Sequence, residues 1–424
     1  MKNKIITSLI LIGTAVLMTT ELSAQTFSLS QAEQLARTKY PLIKQKVLIE
    51  KSAKLNDNNL AKGYLPQVTF GMQASYQSDV TEITIPNAPF VIEPLSKDQY
   101  KINMDVNQVI YDGGMIRNQR DLSKLQSKIE GQKVEVDLYK IKEKVDQLYC
   151  NILYTDAMIA QVNTVQSDIE SGIKKVSTQL QNGVAFKSSL NTLKAEQLKT
   201  EQRSIELISA RKDMLEVLSI LTDTTLDETT ILMTPEVSKS NAKEIKRPEI
   251  DVFKSQIALS TKQQDIVKSR LLPKASVFAQ GGYGRPGYNM LLNAFDWYGL
   301  GGIRLNWALG NLYSAKNDKS LAKINAQTVG VQEETFLKNT NAQIKQQEIT
   351  VEKLEKLIAT DNQIIELRTS VKNSASAQLE AGVITASDYL REVNAEDQSR
   401  QALKAHEIQL IQAHIQLNLL TGNK

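Results

Sequence analysis

Hydrophobic positions in this chain follow two rhythms. From Leu138 onward, Leu138, Ile141, Val145, Leu148, Ile152, Thr155, Ile159, Val162, Gln166, Ile169, Ile173, Val176 and Leu180 return at alternating steps of three and four, with Thr155 and Gln166 the polar members. That is a heptad seam, and it predicts a long helix packed along its length against other helices. Elsewhere the step is two. Val68, Phe70, Met72, Ala74 and Tyr76 alternate with Gln67, Thr69, Gly71, Gln73, Ser75 and Gln77. Tyr100, Ile102, Met104 and Val106 oppose Lys101, Asn103, Asp105 and Asn107, and Ile303, Leu305 and Trp307 oppose Arg304 and Asn306. Lys274 to Gly284 is less regular, because Phe278 stands on the polar face. Alternation of this kind predicts strands with one face in an apolar medium and the other in water.

The elements come twice. Tyr40-Pro41-Leu42-Ile43 matches Arg247-Pro248-Glu249-Ile250, and Tyr64-Leu65-Pro66-Gln67 matches Leu271-Leu272-Pro273-Lys274. Gln179-Leu180-Gln181-Asn182-Gly183-Val184 matches Gln378-Leu379-Glu380-Ala381-Gly382-Val383, and Ile220-Leu221-Thr222-Asp223 matches Leu419-Leu420-Thr421-Gly422. Four matches in order predict a duplicated unit. Each unit reads as a helix begun at a proline and stopped before the next one. Two strands follow, then a very long helix (Gly114 to about Leu180, or Leu312 to about Leu379), a reversal at Gly183 or Gly382, and a return helix. At 1.5 Å per residue the long helix would reach roughly 100 Å, so an elongated molecule is expected. The expected organisation is a signal peptide over 1–24, a first repeat over 25–222, a linker over 223–246 and a second repeat over 247–424.

The signal-peptide reading rests on Lys2 and Lys4, the apolar run Ile5 to Met18, and small residues before Gln25. No later stretch reaches the roughly 18 apolar residues of a spanning helix. A chain that entered a membrane would therefore do so as strands. The net charge is only +4, and Lys and Glu are mixed along the helices, which argues against a nucleic-acid partner. Four strands cannot close a barrel, and open edges do not survive in lipid. Spanning strands would need oligomerisation, a dimer giving eight strands and a trimer twelve; the smallest membrane barrels have about eight. Val68, Phe70, Met72 and Tyr76 are the expected lipid-facing set. An ordinary soluble sheet over helices stays open as the alternative, as does a periplasmic coiled-coil adaptor or structural rod.

This plan resembles the TolC-like outer membrane efflux protein family. The residues that carry the likeness are Tyr40-Pro41-Leu42, Arg247-Pro248-Glu249, Leu65-Pro66-Gln67, Tyr111-Asp112-Gly113-Gly114 and the two glycine turns. Leu309-Gly310-Asn311 departs from the Asp-Gly-Gly pattern at the second strand-to-helix junction. The resemblance implies a mainly α chain with a membrane β-barrel portion, forming a homotrimer whose twelve-stranded barrel joins an α-helical barrel. It implies an outer-membrane location reaching into the periplasm, a periplasmic adaptor and an inner-membrane pump as partners, and passive export in efflux or type I secretion. By the same resemblance, Gly183, Val184, Ala185, Gly382, Val383 and Ile384 are the adaptor-docking tips. Asp388 falls on the first acidic position of the family's periplasmic constriction, and Arg391 replaces the second.

Little points to catalysis. Gly282-Tyr283-Gly284-Arg285-Pro286-Gly287 spells a dinucleotide motif, but no helix pattern follows it. His406 and His414 are eight apart, which does not suit a shared metal. Cys150 reads as a small apolar residue beside the seam. No enzyme activity, metal or cofactor is expected.

Overall fold

The computed structural model describes residues 26–82, 86, 89, 93–236 and 244–422. The expected signal peptide, and residues 237–243 of the expected linker, lie outside the described residues. In chain order the elements are β1 (Thr26–Phe27), α1 (Leu29–Lys39), α2 (Leu42–Ala61), β2 (Gln67–Tyr76), β3 (Asp98–Tyr111), α3 (Met115–Gln181), α4 (Lys187–Thr222), β4 (Ile231–Leu232), α5 (Pro248–Arg270), β5 (Lys274–Arg285), β6 (Asp296–Asn306), α6 (Asn311–Glu380) and α7 (Ala386–Thr421). The series helix, two strands, long helix, return helix occurs twice, as the paired motifs predict.

Local chemistry sets the boundaries. Pro248 opens α5 at its first turn, whereas Pro41 sits one residue ahead of α2 as its cap. Asp112 starts α3: its carboxylate accepts from Gly114 N at 2.8 Å and Ile116 N at 2.6 Å. Both hairpins reverse through the same device. Gly183 N donates to Leu180 O and Val184 N to Gln179 O; Gly382 N donates to Leu379 O and Val383 N to Gln378 O. This is a Schellman cap, and it needs the left-handed residue that Gly183 (φ 74°) and Gly382 (φ 71°) supply. The return helices end alike too. Thr222 and Thr421 are buried and bond back to Leu218 O and Leu417 O. The next residue, Asp223 or Gly422, is left-handed.

Three elements are absent from the sequence reading, the short strands β1 and β4 and helix α1. Helix α1 precedes Pro41, begun by a reciprocal capping box between Ser28 and Gln31. Its helical spacing of Leu29, Ala32 and Ala36, all buried, was a legible signal.

The described chain divides into two compact units, and each takes segments from both repeats. The first comprises residues 1–40, 144–238 and 351–414. Its centre is the seam of α3, where Val145, Ile152, Thr155, Val162, Ile169 and Val176 are all buried. Beside the seam, Tyr149 is fully buried, and its hydroxyl donates toward Phe27 O and Met233 O, each at 2.7 Å. The parallel pair β1–β4 is thereby held against α3. Cys150 is buried as expected.

The second unit comprises residues 41–143, 239–350 and 415–424. It holds an antiparallel sheet ordered β2-β3-β5-β6. The chain's last turn is also fixed there. Lys246 N donates to Thr421 O at 2.7 Å, and Tyr139 donates to Leu419 O at 2.6 Å.

Replacing Tyr149 by Phe keeps the ring but leaves the Phe27 and Met233 carbonyls without the hydroxyl they share. Tyr149→Phe should lower stability by about 1–3 kcal/mol, read as a reduced thermal midpoint of the detergent-solubilised protein. An unchanged midpoint would show that the anchoring contact contributes nothing.

Candidate functional site

The sheet sorts its side chains by face, and the register carries the sorting across all four strands. Met72, Ile102, Tyr283 and Trp297 form one cross-strand row; Phe70, Met104, Gly281 and Gly299 form the next; Val68, Val106, Ala279 and Gly301 a third. Val277 with Ile303 and Ala275 with Leu305 extend the same face. Within the chain this face is uncovered: Phe70 is 67%, Met72 71% and Ile303 77% exposed. Aromatic residues bound it at both ends. Tyr76, Tyr100, Tyr283 and Trp297 stand near the β2–β3 and β5–β6 loops, and Tyr111 and Trp307 stand where the strands meet helices. Tyr111 reaches this face because a register shift between Val109 and Tyr111 restores its parity.

The opposite face is polar. Asp105 accepts from Gln280 at 2.6 Å and also from Asn103. Phe278, the residue that spoils the alternation, is covered there by the Arg304 guanidinium, 4.5 Å from its ring centre. The Gly282 to Gly287 motif is strand and turn, with no helix after it.

A second site lies at the hairpin turns, in the first unit. Val165, Ile169, Val176, Leu193, Ala375, Leu379, Ala386, Tyr389, Leu390 and Val393 make one buried cluster from α3, α4, α6 and α7. Gly172 sits where a side chain would strike the Tyr389 ring, with only 2.8 Å available. The tip residues then separate into two kinds. Val184 and Val383 are three-quarters exposed, whereas Ala185 and Ile384 turn inward and pack on the cluster. Ala185 and Ile384, expected among the tip residues, are half-buried and offer less apolar surface than Val184 and Val383, because they close the end of the core. Phe186, 79% exposed, supplies the missing surface. It was passed over as part of the turn, although an aromatic residue beside a glycine reversal was visible.

Asp388 and Arg391 do lie together. The Arg391 guanidinium meets Asp388 Oδ1 at 2.5 Å within the same helix. The other carboxylate oxygen accepts from the Thr385 hydroxyl at 2.7 Å and its N–H at 3.2 Å, while Asp388 N donates back to Thr385. Asp388 is therefore a helix-capping residue as well as half of an ion pair. Those Thr385 bonds, with Arg391 adding to them, hold its carboxyl below the usual range.

A larger charge network deeper in the bundle escaped the sequence reading. Lys372 on α6 bridges Asp168 on α3 and Glu396 on α7, each at 2.8 Å. Arg400 meets the other oxygen of Glu396 at 2.7 Å, Thr369 donates to it at 2.7 Å, and Tyr389 donates to Asp168 O at 3.0 Å. Glu396 is 2% exposed. Burial works against its charge, but the bonds from Lys372, Thr369 and Arg400 outweigh that and lower its pKa. Burial likewise opposes the Lys372 charge, and its two carboxylates prevail and raise its pKa. His406 is paired with Asp361 at 2.6 Å rather than merely solvated.

No family model and no curated protein matches the chain. Solved structures do. Outer membrane protein VceC of Vibrio cholerae superposes with a TM-score of 0.68 at 14% identity, over 93% of this chain and 96% of its own. The outer-membrane channel OprN gives 0.70 at 14% identity over 93% and 90%, and the CmeC outer membrane channel of Campylobacter jejuni 0.68 at 14% over 93% and 85%. The chain has their fold. That fold is the duplicated, mainly helical one expected from the paired motifs, with two strands and a long helical hairpin in each half.

Lys372 is the link whose loss is hardest to tolerate, because it leaves half-buried Asp168 beside buried Glu396 with Arg400 the one cation still paired there. Lys372→Met should cost about 3–5 kcal/mol, whereas Lys356→Met, at the exposed Glu352 pair, should be silent. The lowered Glu396 pKa contributes stability above the ordinary glutamate range and loses it as pH falls through the folded value. The raised Lys372 pKa contributes below the ordinary lysine range and loses it as pH climbs through its own. Acid unfolding should therefore begin at higher pH in Lys372→Met than in the parent. Circular dichroism against pH checks this, and coincident acid transitions would show the network to be energetically idle.

Proposed function

We propose that this chain is the channel subunit of an outer-membrane export system, a passive conduit that works with a periplasmic adaptor and an inner-membrane pump in efflux or type I secretion. It is not an enzyme on this reading. The observation that carries it is the uncovered apolar face running across four strands between two aromatic borders. Trp297 in β6 and Trp307 just past its end, the only two tryptophans, lie ten residues apart. At about 3.3 Å per residue, tilted by about 45°, ten residues rise roughly 23 Å, close to the apolar height of roughly 25 Å between the aromatic girdles of outer-membrane barrels. A soluble adaptor or structural rod has no use for such a face.

A homotrimer follows from the same sheet. Among the described residues its outer strands β2 and β6 each have one unpaired edge, and three copies of four strands would close a twelve-stranded barrel. Apolar side chains left open on helices fit this reading: Leu198, Ile205 and Ile208 on α4, and Ile364, Leu367 and Val371 on α6. Neighbouring copies would cover them. The Val184, Phe186 and Val383 tips would dock the adaptor. Asp388 and Arg391, repeated three times around an axis, would line the periplasmic constriction.

Met72→Arg should destabilise the inserted trimer by about 2–4 kcal/mol if the residue lies near the midplane and reduce assembled protein in the outer membrane. Thr69→Arg, on the polar face, should be tolerated. Native mass spectrometry in detergent should show three copies of the parent chain, and equal tolerance of the two arginines would remove the membrane assignment.

The tips make a separate test. Phe186→Asp with Val383→Asp should leave trimers in the outer membrane and abolish export of a known pump substrate, measured by its accumulation in cells. Normal export would remove the docking role.

A further inference from the structure

The segment joining β5 to β6, Pro286 to Phe295, is chemically unlike a loop that lives in water. Its ten positions hold no charged residue, while Arg285 and Asp296 stand immediately outside it. The other loop at this end of the sheet, between β2 and β3, carries Asp79, Glu82, Glu93 and Lys97. Met290 and Leu291 are each 66% exposed, and Leu292 is exposed beside them. Turns between strands are ordinarily built of small polar residues, so three adjacent exposed aliphatics require a cover.

The loop's last residue is tied to the apolar face of the sheet, while Tyr288 meets Gln280 and Tyr298 of the polar face. Phe295 stacks on Tyr100 and Tyr283, with ring centres 6.3 and 5.7 Å apart, and Tyr283 in turn meets Trp297 at 5.1 Å. The Arg285 guanidinium lies over Tyr100 and Phe295 and is ion-paired with Asp98. Two of the loop's backbone N–H groups are met within it, and one of its asparagines holds the adjoining loop. Asn289 accepts from Leu291 N through its side chain and from Leu292 N through its carbonyl, and Asn293 accepts from Ser96 N. Backbone donors satisfied by asparagine side chains, with aliphatics turned outward, suit a medium that offers few hydrogen bonds.

We propose that the β5–β6 loop is a membrane-seated anchor, its Met290, Leu291 and Leu292 side chains inserted in the lipid leaflet around the outer end of the sheet. Lipid is the occupant because the loop continues the apolar sheet face through the Phe295 stack and the aromatic border. A bundle of aromatics with one arginine is the chemistry of a lipid–water boundary. The inference rests on the reading of that face as membrane-spanning.

The test is spin labelling of the full chain reconstituted in phosphatidylethanolamine–phosphatidylglycerol vesicles, comparing collisions with oxygen, which enters lipid, and with a water-soluble nickel chelate. Labels go at Leu291→Cys and, as a second loop position, Met290→Cys. Met72→Cys serves as the sheet reference and Asn182→Cys, in the helical turn, as the water reference. The native Cys150 does not compete: burial, with Asp146 nearby, pushes its thiol up to about 12. The expected result is an oxygen-to-nickel ratio at both loop positions several-fold above Asn182→Cys and similar to Met72→Cys. Loop labels open to nickel while Met72→Cys stays oxygen-rich would overturn the anchor and leave the membrane reading standing. Loop labels shielded from both reagents would also overturn it, in favour of cover by protein. Nickel access at Met72→Cys itself would sink the membrane reading, and the anchor with it.

Discussion

The outer edges of β2 and β6 are rows of backbone N–H and C=O groups that no strand among the described residues pairs, and much else depends on that. An antiparallel sheet can stop at a water-facing edge at modest cost, but in lipid each unmet group costs several kcal/mol. With both faces committed, one apolar and one polar, the sheet cannot bury its edges by folding over. In the proposed reading the remaining way to satisfy them is another copy's strand. The same requirement then reaches the helices. A chain that must join identical neighbours has to keep part of its apolar surface for them, which gives a use to the uncovered leucines and isoleucines of α4 and α6.

Duplication makes this economical, and the two halves reveal which features are held in common. The Schellman turns at Gly183 and Gly382 agree bond for bond, as do the buried threonines that end α4 and α7. The strand-to-helix junctions do not. Asp112 caps α3 directly, while at the second junction Asn311 reaches back to Arg270 O and Trp307 to Leu271 O. Reversal of a helix into an antiparallel partner permits few backbone solutions. A strand entering a helix can be tied down by whatever donor lies nearby, and so drifts.

How far the sequence could be read follows from the range of the interactions involved. Heptads, alternation and glycine turns are local, so the α3 seam, the alternating strands β2 and β3 and both reversals were legible. Phe278 looked like an error because its cover, Arg304, comes from the neighbouring strand. Ala185 and Val184 are adjacent and both small and apolar; only the bundle they close against decides which one turns in. Asp388 was read as a constriction charge from the family resemblance, and its cap to Thr385 was overlooked although Thr-x-x-Asp is a local pattern. Lys372, Asp168 and Glu396 come from three helices far apart in sequence, and no periodicity marks them.

That network raises the question of why charge is buried where leucine would serve. A buried ion pair seldom adds net stability over well-packed apolar residues, but breaking one is costly. The heptad seam alone is permissive: sliding one helix by a heptad against another returns similar apolar contacts. The Lys372 bridge is not, since displacing α6 by one turn would take from Asp168 its cation and leave Glu396 only Arg400. Arg203 and Gln161 meeting Asp397 add a second such point nearby. In a bundle whose helices run for ten turns or more, continuous apolar packing supplies adhesion, and a few buried charges can supply register. In the proposed reading, a channel end that closes the same way each time has more use for the second property than for additional adhesion.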